Sequence, residues 1–181
     1  MATLVLSVIG DDRAGLVDAL AAPIADHGGN WDRSHMARLA GKFAGIVVVT
    51  VPDERVDSLG AALETVQAQG LLDVRVAIAA ADGPVDDTSL LSLHLIGQDR
   101  PGIVREIANA LARRDVSIEE LETSTASAPM SAEQLFEATA SLRLPADVDL
   151  DALRLALEDI ANELMVDLDV GPRTPPSIER G

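Results

Sequence analysis

The sequence IGDDRAGLV at residues 9–17 returns as IGQDRPGIV at residues 96–104. Six of the nine positions are identical, and each residue of the second copy lies 87 positions after its counterpart. Both copies stand between a short apolar run and a segment with helical periodicity. Because a junction repeated at a fixed interval indicates a repeated structural unit, the two copies predict two similar domains in one chain.

The segments around each junction have the same order of predicted elements. In the first half, strands are predicted at 4–9, 30–39, 42–51 and 71–78, with helices within 11–28 and 53–70. In the second half, strands are predicted at 90–96, 117–125, 134–144 and 165–170, with helices at 101–114 and 149–164. A longer arm, residues 126–133, joins the second pair of hairpin strands.

This β-α-β-β-α-β order is typical of the ferredoxin-like fold, in which two helices cover one face of an antiparallel sheet. We therefore predict an α+β protein with two ferredoxin-like βαββαβ units, at residues 1–81 and 89–170. Residues 82–88 contain Gly, Pro and Asp and are predicted to be a linker. The proline-rich residues 171–181 are predicted to be a disordered tail.

The helices are predicted to bury one apolar face each. For the first helix this face is Leu16, Val17, Leu20 and Ile24, and for the last it is Leu150, Leu153, Leu157, Ile160 and Leu164. Pro23 lies inside the first helix, where proline removes a hydrogen bond at a cost of about 3 kcal/mol. A kink or an early end is expected there.

The composition excludes several classes of function. Thirty acidic and 14 basic residues give a net charge of −16, which disfavours nucleic acids and anionic membranes as partners. The chain has no cysteine, and His27, His35 and His94 show no metal-ligand spacing. Because no nucleophile-base set, phosphate loop or dinucleotide motif is present, we expect neither catalysis nor a cofactor. We also expect a cytoplasmic protein, since no signal segment or apolar span is apparent.

The repeated junction has a structural and a functional interpretation. Structurally, Gly10 and Gly97 would allow a sharp turn, Asp12 and Asp99 would cap the helix, and Pro101 would be its first residue. Functionally, amides at a helix N-terminus attract a carboxylate, to which Arg13 and Arg100 would add charge-assisted contacts. Asp11 and Asp12 would hold an ammonium group, so that the loop would suit a free amino acid.

The motif G-x-D-R-x-G-[IL]-V, placed between a strand and a helix of a βαββαβ unit, resembles the ACT domain. That family is one of regulatory modules for small ligands, typically amino acids. Two such units over about residues 3–170 resemble the glycine cleavage system transcriptional repressor family. Asn30, which opens the second strand, and the sequence GKF at 41–43 also match that family's pattern.

The resemblance implies that a ligand lies between the first loop of one domain and the second-strand start of a paired domain. The implied ligand-binding residues are Gly10, Asp12, Arg13, Gly15, Leu16, Asn30, Gly97, Asp99, Arg100, Gly102, Ile103 and Ser117. Two of the positions depart from the pattern. Ala14 replaces the proline of the motif, and Ser117 stands where the first copy has Asn30, so the two sites are expected to differ in affinity.

Two functions remain open. The first is a non-catalytic regulator that binds a small ligand, an amino acid such as glycine or serine, and acts through protein partners, one of which is expected to be a transcriptional regulator. The alternative is a detached regulatory subunit of an amino-acid or folate enzyme. We expect the two units to pair side by side within the chain, since each sheet has edges that need cover. A homo-oligomer, with a dimer favoured, is expected as well.

Overall fold

The chain divides into two compact units, Met1–Pro84 and Val85–Gly181, called here the first and the second unit. The structure, a computed structural model, describes residues 1–79, 90–127, 134–145 and 147–172. The predicted linker, residues 82–88, and the part of the predicted arm at 128–133 lie outside these ranges. Of the predicted tail, only residues 171 and 172 are described, and they belong to the last strand.

Each unit has the predicted β-α-β-β-α-β order. The first consists of β1 (Ala2–Asp11), α1 (Leu16–Asp26), β2 (Asn30–Leu39), β3 (Lys42–Val51), a 3-10 turn (Asp53–Arg55), α2 (Val56–Ala68) and β4 (Asp73–Ile78). The second consists of β5 (Leu90–Gln98), α3 (Ile103–Ala112), β6 (Ser117–Ser127), β7 (Gln134–Arg143), α4 (Leu150–Leu164) and β8 (Val166–Pro172).

The two sheets have the same topology. Their strand orders are β2-β3-β1-β4 and β6-β7-β5-β8, and neighbouring strands are antiparallel throughout. The predicted hairpin of the first unit turns through Ala40 and Gly41, whose φ angles of 49° and 77° are those of a two-residue turn that matches strand twist. The ferredoxin-like prediction is therefore confirmed for both units.

The core of each unit lies between one face of the sheet and the two helices. In the first unit, every second residue of β1 is buried beneath α1 and α2, namely Leu4, Leu6 and Val8. The second unit repeats this arrangement with Leu91, Leu93 and Leu95 of β5. Burying one such side chain contributes roughly 1.5–3 kcal/mol, so these aliphatic residues supply the core that a chain with 2% aromatics needs.

Two residues predicted to lie on buried helix faces are exposed, and the early end expected at Pro23 is not found, while a kink there stays a prediction. Val17 and Leu150 are 49% and 42% exposed, because Val17 lies at the side of the buried stripe and Leu150 occupies the first position of α4. The first helix does not end at Pro23 but continues to Asp26. Proline removes only one amide donor, and three residues of α1 on the buried face still pack on the core.

Gly10 is required by a close approach of two backbone segments. A Cβ atom at this position would lie 2.5 Å from the carbonyl oxygen of Leu71, in the segment between α2 and β4. Gly60, in the middle of α2, has no atom within 4 Å of its Cβ position. The two glycines therefore differ in how much space a methyl group would have.

We expect Gly10→Ala to lower the free energy of unfolding by about 1–3 kcal/mol, because the backbone must shift to relieve the overlap. Gly60→Ala is the matched control and should raise it by about 0.4–1 kcal/mol, since alanine restricts the unfolded chain. Urea unfolding of both variants followed by circular dichroism measures the difference. A neutral Gly10→Ala would show that the approach to Leu71 relaxes without cost.

The best-defined cap of the four helices is at α4. The Asp149 carboxylate accepts hydrogen bonds from the amides of Asp151 and Ala152, both at 3.0 Å. The residue that precedes α3 is Gly102, which provides no side-chain cap. The sequence suggested Asp99 as the cap of α3, but this residue does not cap the helix. The side-chain cap of the second unit is Asp149, at the start of α4.

We expect Asp149→Ala to destabilise the protein by about 1 kcal/mol, the usual effect of losing an N-cap. Asp99→Ala should change the free energy of unfolding by less than about 0.5 kcal/mol, since this side chain caps no helix. Thermal melts of the two variants compare the caps directly. Equal destabilisation would contradict the assignment.

Candidate functional site

The loops that join β1 to α1 and β5 to α3 have the same backbone geometry. The residue before each helix is a glycine in the left-handed conformation, Gly15 with φ 91° and Gly102 with φ 100°. Both glycines are exposed. A residue with a side chain would be strained at these φ values, which explains why glycine recurs at this point of the motif.

This geometry corrects the predicted structural roles of four residues. Gly10 and Gly97 lie within β1 and β5 and have no positive φ, so they make close approaches rather than turns. Asp12 and Asp99 cap neither helix, because each lies three residues before the left-handed glycine.

The predicted position of Pro101 is also wrong. It precedes the first residue of α3, Ile103, by two positions, in the turn that leads to the helix.

The two arginines of the motif make equivalent contacts. The Nη2 atom of Arg13 donates a hydrogen bond of 2.9 Å to the carbonyl oxygen of Gly70, just after α2. The Nη2 atom of Arg100 donates one of 3.3 Å to the carbonyl oxygen of Glu163, in the last turn of α4. A guanidinium has five N–H donors, and these bonds are the only ones that either arginine makes with the described residues.

The acidic residues of the first loop are paired with cations from the β2–β3 hairpin. Arg38 Nε lies 2.5 Å from an oxygen of Asp12, and Lys42 donates a hydrogen bond to Asp11. The hydrogen bond and the charge of Lys42 hold the pKa of the Asp11 carboxyl below its ordinary value. The hypothesis that these two carboxylates receive a ligand ammonium group therefore loses support, because the chain already supplies their counter-charges.

The loops are also fastened to the hairpins by backbone hydrogen bonds. The amide of Asp12 donates to the carbonyl of Gly41 at 2.9 Å, and the amide of Asp99 donates to that of Gln134 at 2.8 Å. Each loop is thus held between a hairpin end on one side and the C-terminal end of the second helix on the other.

The structure does not bring Asn30 or Ser117 to the loop of its own unit. Asn30 is opposite Thr50, which pairs with Thr3 near the start of β1, whereas the loop follows Asp11 at its end. At about 3.3–3.4 Å for each residue, the eight steps between Thr3 and Asp11 span about 27 Å.

In the second unit, Ser117 is opposite Arg143, which pairs with Leu90 at the start of β5. The loop follows Gln98, at the other end of β5. The residues implied by the family resemblance therefore lie at opposite ends of each sheet.

Asn30 belongs to a small polar group at its own end of the sheet. Its side-chain amide donates to Asp32 at 2.5 Å, and the Thr50 hydroxyl donates to the other oxygen of the same carboxylate. Asn30 and Asp32 are exposed, and Thr50 is half-buried. Sequence reasoning missed Asp32, although its position two residues after Asn30 places an acceptor within reach of the amide.

Leu16 and Ile103 are each only 3% exposed, and their side chains belong to the cores. Because this exposed fraction covers the whole residue, little of either the side chain or the backbone is open to a ligand. The exposed residues of each loop therefore end at the left-handed glycine that precedes the helix.

An apolar groove in the second unit was not predicted. It lies between α3 and β6 and is lined by Leu93, Leu95, Ile103, Val104, Ile107, Ala108, Leu111, Ile118, Leu121, Phe136, Ala138 and Ala140. In the first unit, Trp31 and Met36 pack against the core at the positions that Ile118 and Thr123 hold in the second. Of these two residues of the second unit, Ile118 lines the groove and is smaller than Trp31, a difference that a comparison of the two copies at the 87-residue shift would have indicated.

Neither a metal site nor a membrane span is found in the parts of the chain that the structure describes. No group of three histidine or acidic residues is placed to hold a metal ion there. Among those same residues, no helix is long and apolar enough to cross a bilayer. His94 lies 2.8 Å from Glu137 on the helix-free face of its sheet.

Two solved structures resemble the whole chain. An unknown protein from Galdieria sulphuraria is 29% identical, with a TM-score of 0.84 over 96% of this chain and 99% of that one. A proposed glycine cleavage system transcriptional repressor is 16% identical, with a TM-score of 0.69 over 94% and 96% of the two chains. At that identity, the second comparison establishes the fold alone. A comparison with curated proteins found no match.

The family comparison agrees with the repeat in the sequence. The ACT domain matches the chain twice, at residues 2–77 and 89–171, and so covers both units and well over half of the chain. Both matches contain a complete βαββαβ unit with its left-handed glycine before the first helix. The chain therefore belongs to the ACT domain family, with two ACT domains in tandem.

Proposed function

We propose that this protein is a non-catalytic regulator that binds a small amino acid at the loops before α1 and α3. The observation that carries the proposal is the exposed, left-handed glycine of each loop beside an arginine with unused N–H donors. ACT domains are regulatory modules, and the similarity in fold to a proposed glycine cleavage system repressor suggests glycine or serine as the ligand.

The loop supplies the half of the site that suits a carboxylate. Free amides at the start of a helix and the helix dipole favour an anion there. The unused N–H groups of Arg13 or Arg100 add charge-assisted donors. The ligand carboxylate is therefore assigned to the loop.

The half that suits an ammonium group comes from the start of the second strand. In the first unit this is the group of Asn30 and Asp32, whose oxygens accept hydrogen bonds and whose carboxylate is exposed. Because this group and the loop lie about 27 Å apart within a unit, a complete site requires a second unit, which we assign to a second copy of the chain. The proposed protein is thus a homodimer in which each copy contributes one half of a site.

The two ligand sites differ in their surroundings. The apolar groove of the second unit begins at Ile103, directly after the loop, and would present an apolar surface to the side chain of a ligand. In the first unit, Trp31 and Met36 pack on the core at the corresponding place. A thermal-shift screen for ligands should therefore include branched-chain amino acids beside glycine and serine.

We propose that the ligand-bound protein acts by binding a protein partner. The two candidates for this partner are a transcriptional regulator and a metabolic enzyme. A net charge of −16 disfavours direct contact with nucleic acid or an anionic membrane. The cytoplasm is the proposed location, and no cofactor is part of the proposal.

We expect Arg13→Ala and Arg100→Ala to weaken binding of the best ligand from the screen by roughly 1.5–3 kcal/mol, the contribution of a hydrogen bond to a charged group. Asn30→Ala should weaken the first site, and Ser117→Ala should have a smaller effect on the second, since a hydroxyl offers fewer hydrogen bonds than an amide. Isothermal titration calorimetry measures all four variants.

The control for these titrations is Arg75→Ala. Arg75 is exposed on the edge strand β4 and lies opposite Ser7, midway along β1 and away from both halves of the proposed site. Its removal changes the net charge as much as the other arginine variants do, but should leave the affinity unchanged. Equal affinity in the Arg13→Ala and Arg100→Ala variants and in the control would refute the proposed site.

A site shared by two copies should show complementation. Arg13→Ala and Asn30→Ala damage different halves of the same site, so a heterodimer of the two variants contains one intact first-unit site. After subunit exchange of an equal mixture, roughly a quarter of the first-unit sites should regain full affinity. Calorimetry on the mixture, with light scattering to establish the dimer, tests this. A monomer, or a mixture with no recovered sites, would contradict the shared site.

A further inference from the structure

The loop before the first helix and the end of the second helix are joined in the same way in both units. Arg13 donates to the carbonyl of Gly70 at 2.9 Å, and Arg100 donates to that of Glu163 at 3.3 Å. The partners are 57 and 63 residues apart in the chain. The contact is therefore a tertiary one that has been kept in two copies whose sequences otherwise differ widely.

A second contact supports each arginine. The backbone at Gly10 lies so close to the carbonyl of Leu71 that a Cβ atom would approach it to 2.5 Å. In the second unit, a Cβ atom at Gly97 would overlap Val166. In the first unit, the glycine and the arginine both contact the segment that joins α2 to β4. In the second unit, the arginine contacts the last turn of α4 and the glycine contacts the first residue of β8.

The helix ends explain why an arginine is suited to this position. The last carbonyl groups of a helix have no partner within it and carry a partial negative charge. Neither α2 nor α4 has a basic residue in its last turn. Arg100 supplies such a cation to the last turn of α4, and Arg13 places one just beyond the end of α2, at the carbonyl of Gly70.

The contacts lie at the same distance from an edge strand in both units. Gly70 precedes the first residue of β4, Asp73, by three positions, and Glu163 precedes the first residue of β8, Val166, by three. Both strands form an edge of their sheet. A movement of the arginine would therefore first change the restraint on the start of an edge strand.

We propose that Arg13 and Arg100 are positioning residues that couple the loop before the first helix to the start of the last strand in the same unit. Resting on the proposed function, this coupling is the path by which a ligand at the loop alters an edge strand. A carboxylate at the loop competes with the carbonyl of Gly70 or Glu163 for the guanidinium, or the remaining N–H donors of the arginine bridge the carboxylate to that carbonyl. Either event changes the restraint on β4 or β8.

Hydrogen exchange on the full-length protein, measured by mass spectrometry without any ligand, tests the coupling. Arg13→Ala should accelerate exchange about tenfold at residues 12–16 and 69–74 and leave residues 160–168 unchanged. Arg100→Ala should accelerate exchange at residues 99–103 and 162–168 and leave the first unit unchanged. Each variant is thus the control for the other.

Two further variants separate positioning from a general loss of stability. Arg13→Lys keeps a charged donor and should restore part of the protection at residues 69–74. Arg38→Ala removes the ion pair on the opposite side of the same loop and should leave residues 69–74 protected. Unchanged exchange at 69–74 in Arg13→Ala, or uniform acceleration over the whole chain, would overturn the proposal.

Addition of glycine relates the coupling to the proposed function. If glycine binds, exchange at residues 69–74 should change in the wild-type protein and not in Arg13→Ala, and binding without that change would overturn the coupling. If calorimetry shows no binding of any amino acid, the proposed function fails. The ligand-free exchange experiment decides on the coupling in that case too.

Discussion

In each sheet, one of the two inner strands, β1 or β5, determines where the candidate residues lie. β1 is hydrogen-bonded to β3 on one side and to β4 on the other, and β5 is paired likewise with β7 and β8. Because both edges are paired over most of the strand, its register is held by the hydrogen bonds of two ladders and by the burial of alternate residues beneath the helices. The loop with the repeated motif begins where this strand ends.

The same constraint separates the two halves of the proposed ligand site. Because β1 and β2 both pair antiparallel with β3, which lies between them, the start of β2 is at the same end of the sheet as the start of β1, opposite to the loop. No rotation of side chains closes a gap of about 27 Å. A protein that uses both ends of this sheet for one small ligand has to bring two sheets together, and this requirement relates the proposed function to oligomerisation.

The two units have a common framework but differ in the surfaces that surround their loops. Asp11 and Asp12 of the first unit are paired with Lys42 and Arg38 of its hairpin. In the second unit, an apolar groove lies beside α3, and Ile118, which lines it, stands where the first unit has the larger Trp31. Duplication has therefore preserved the backbone geometry and the arginine contact, while the side chains that would select a ligand have diverged.

The sequence by itself determined the two units, their order of elements and the ferredoxin-like sheets. The signals for them can be read locally: the repeat, the alternation of apolar residues, and the glycines at positions 28, 41 and 70. It identified the loops as special but assigned the wrong roles to Gly10, Asp12 and Pro101. The errors at Asp12 and Pro101 arose because the left-handed glycine before each helix, and not the residues ahead of it, sets where the helix begins. The role of Gly10, and the contact that Arg13 makes, depend on Leu71 and Gly70, which fold against the loop from far along the chain. Only the tertiary structure decided them, since hydrogen bonds and close approaches between residues some 60 positions apart leave no periodic pattern in the sequence.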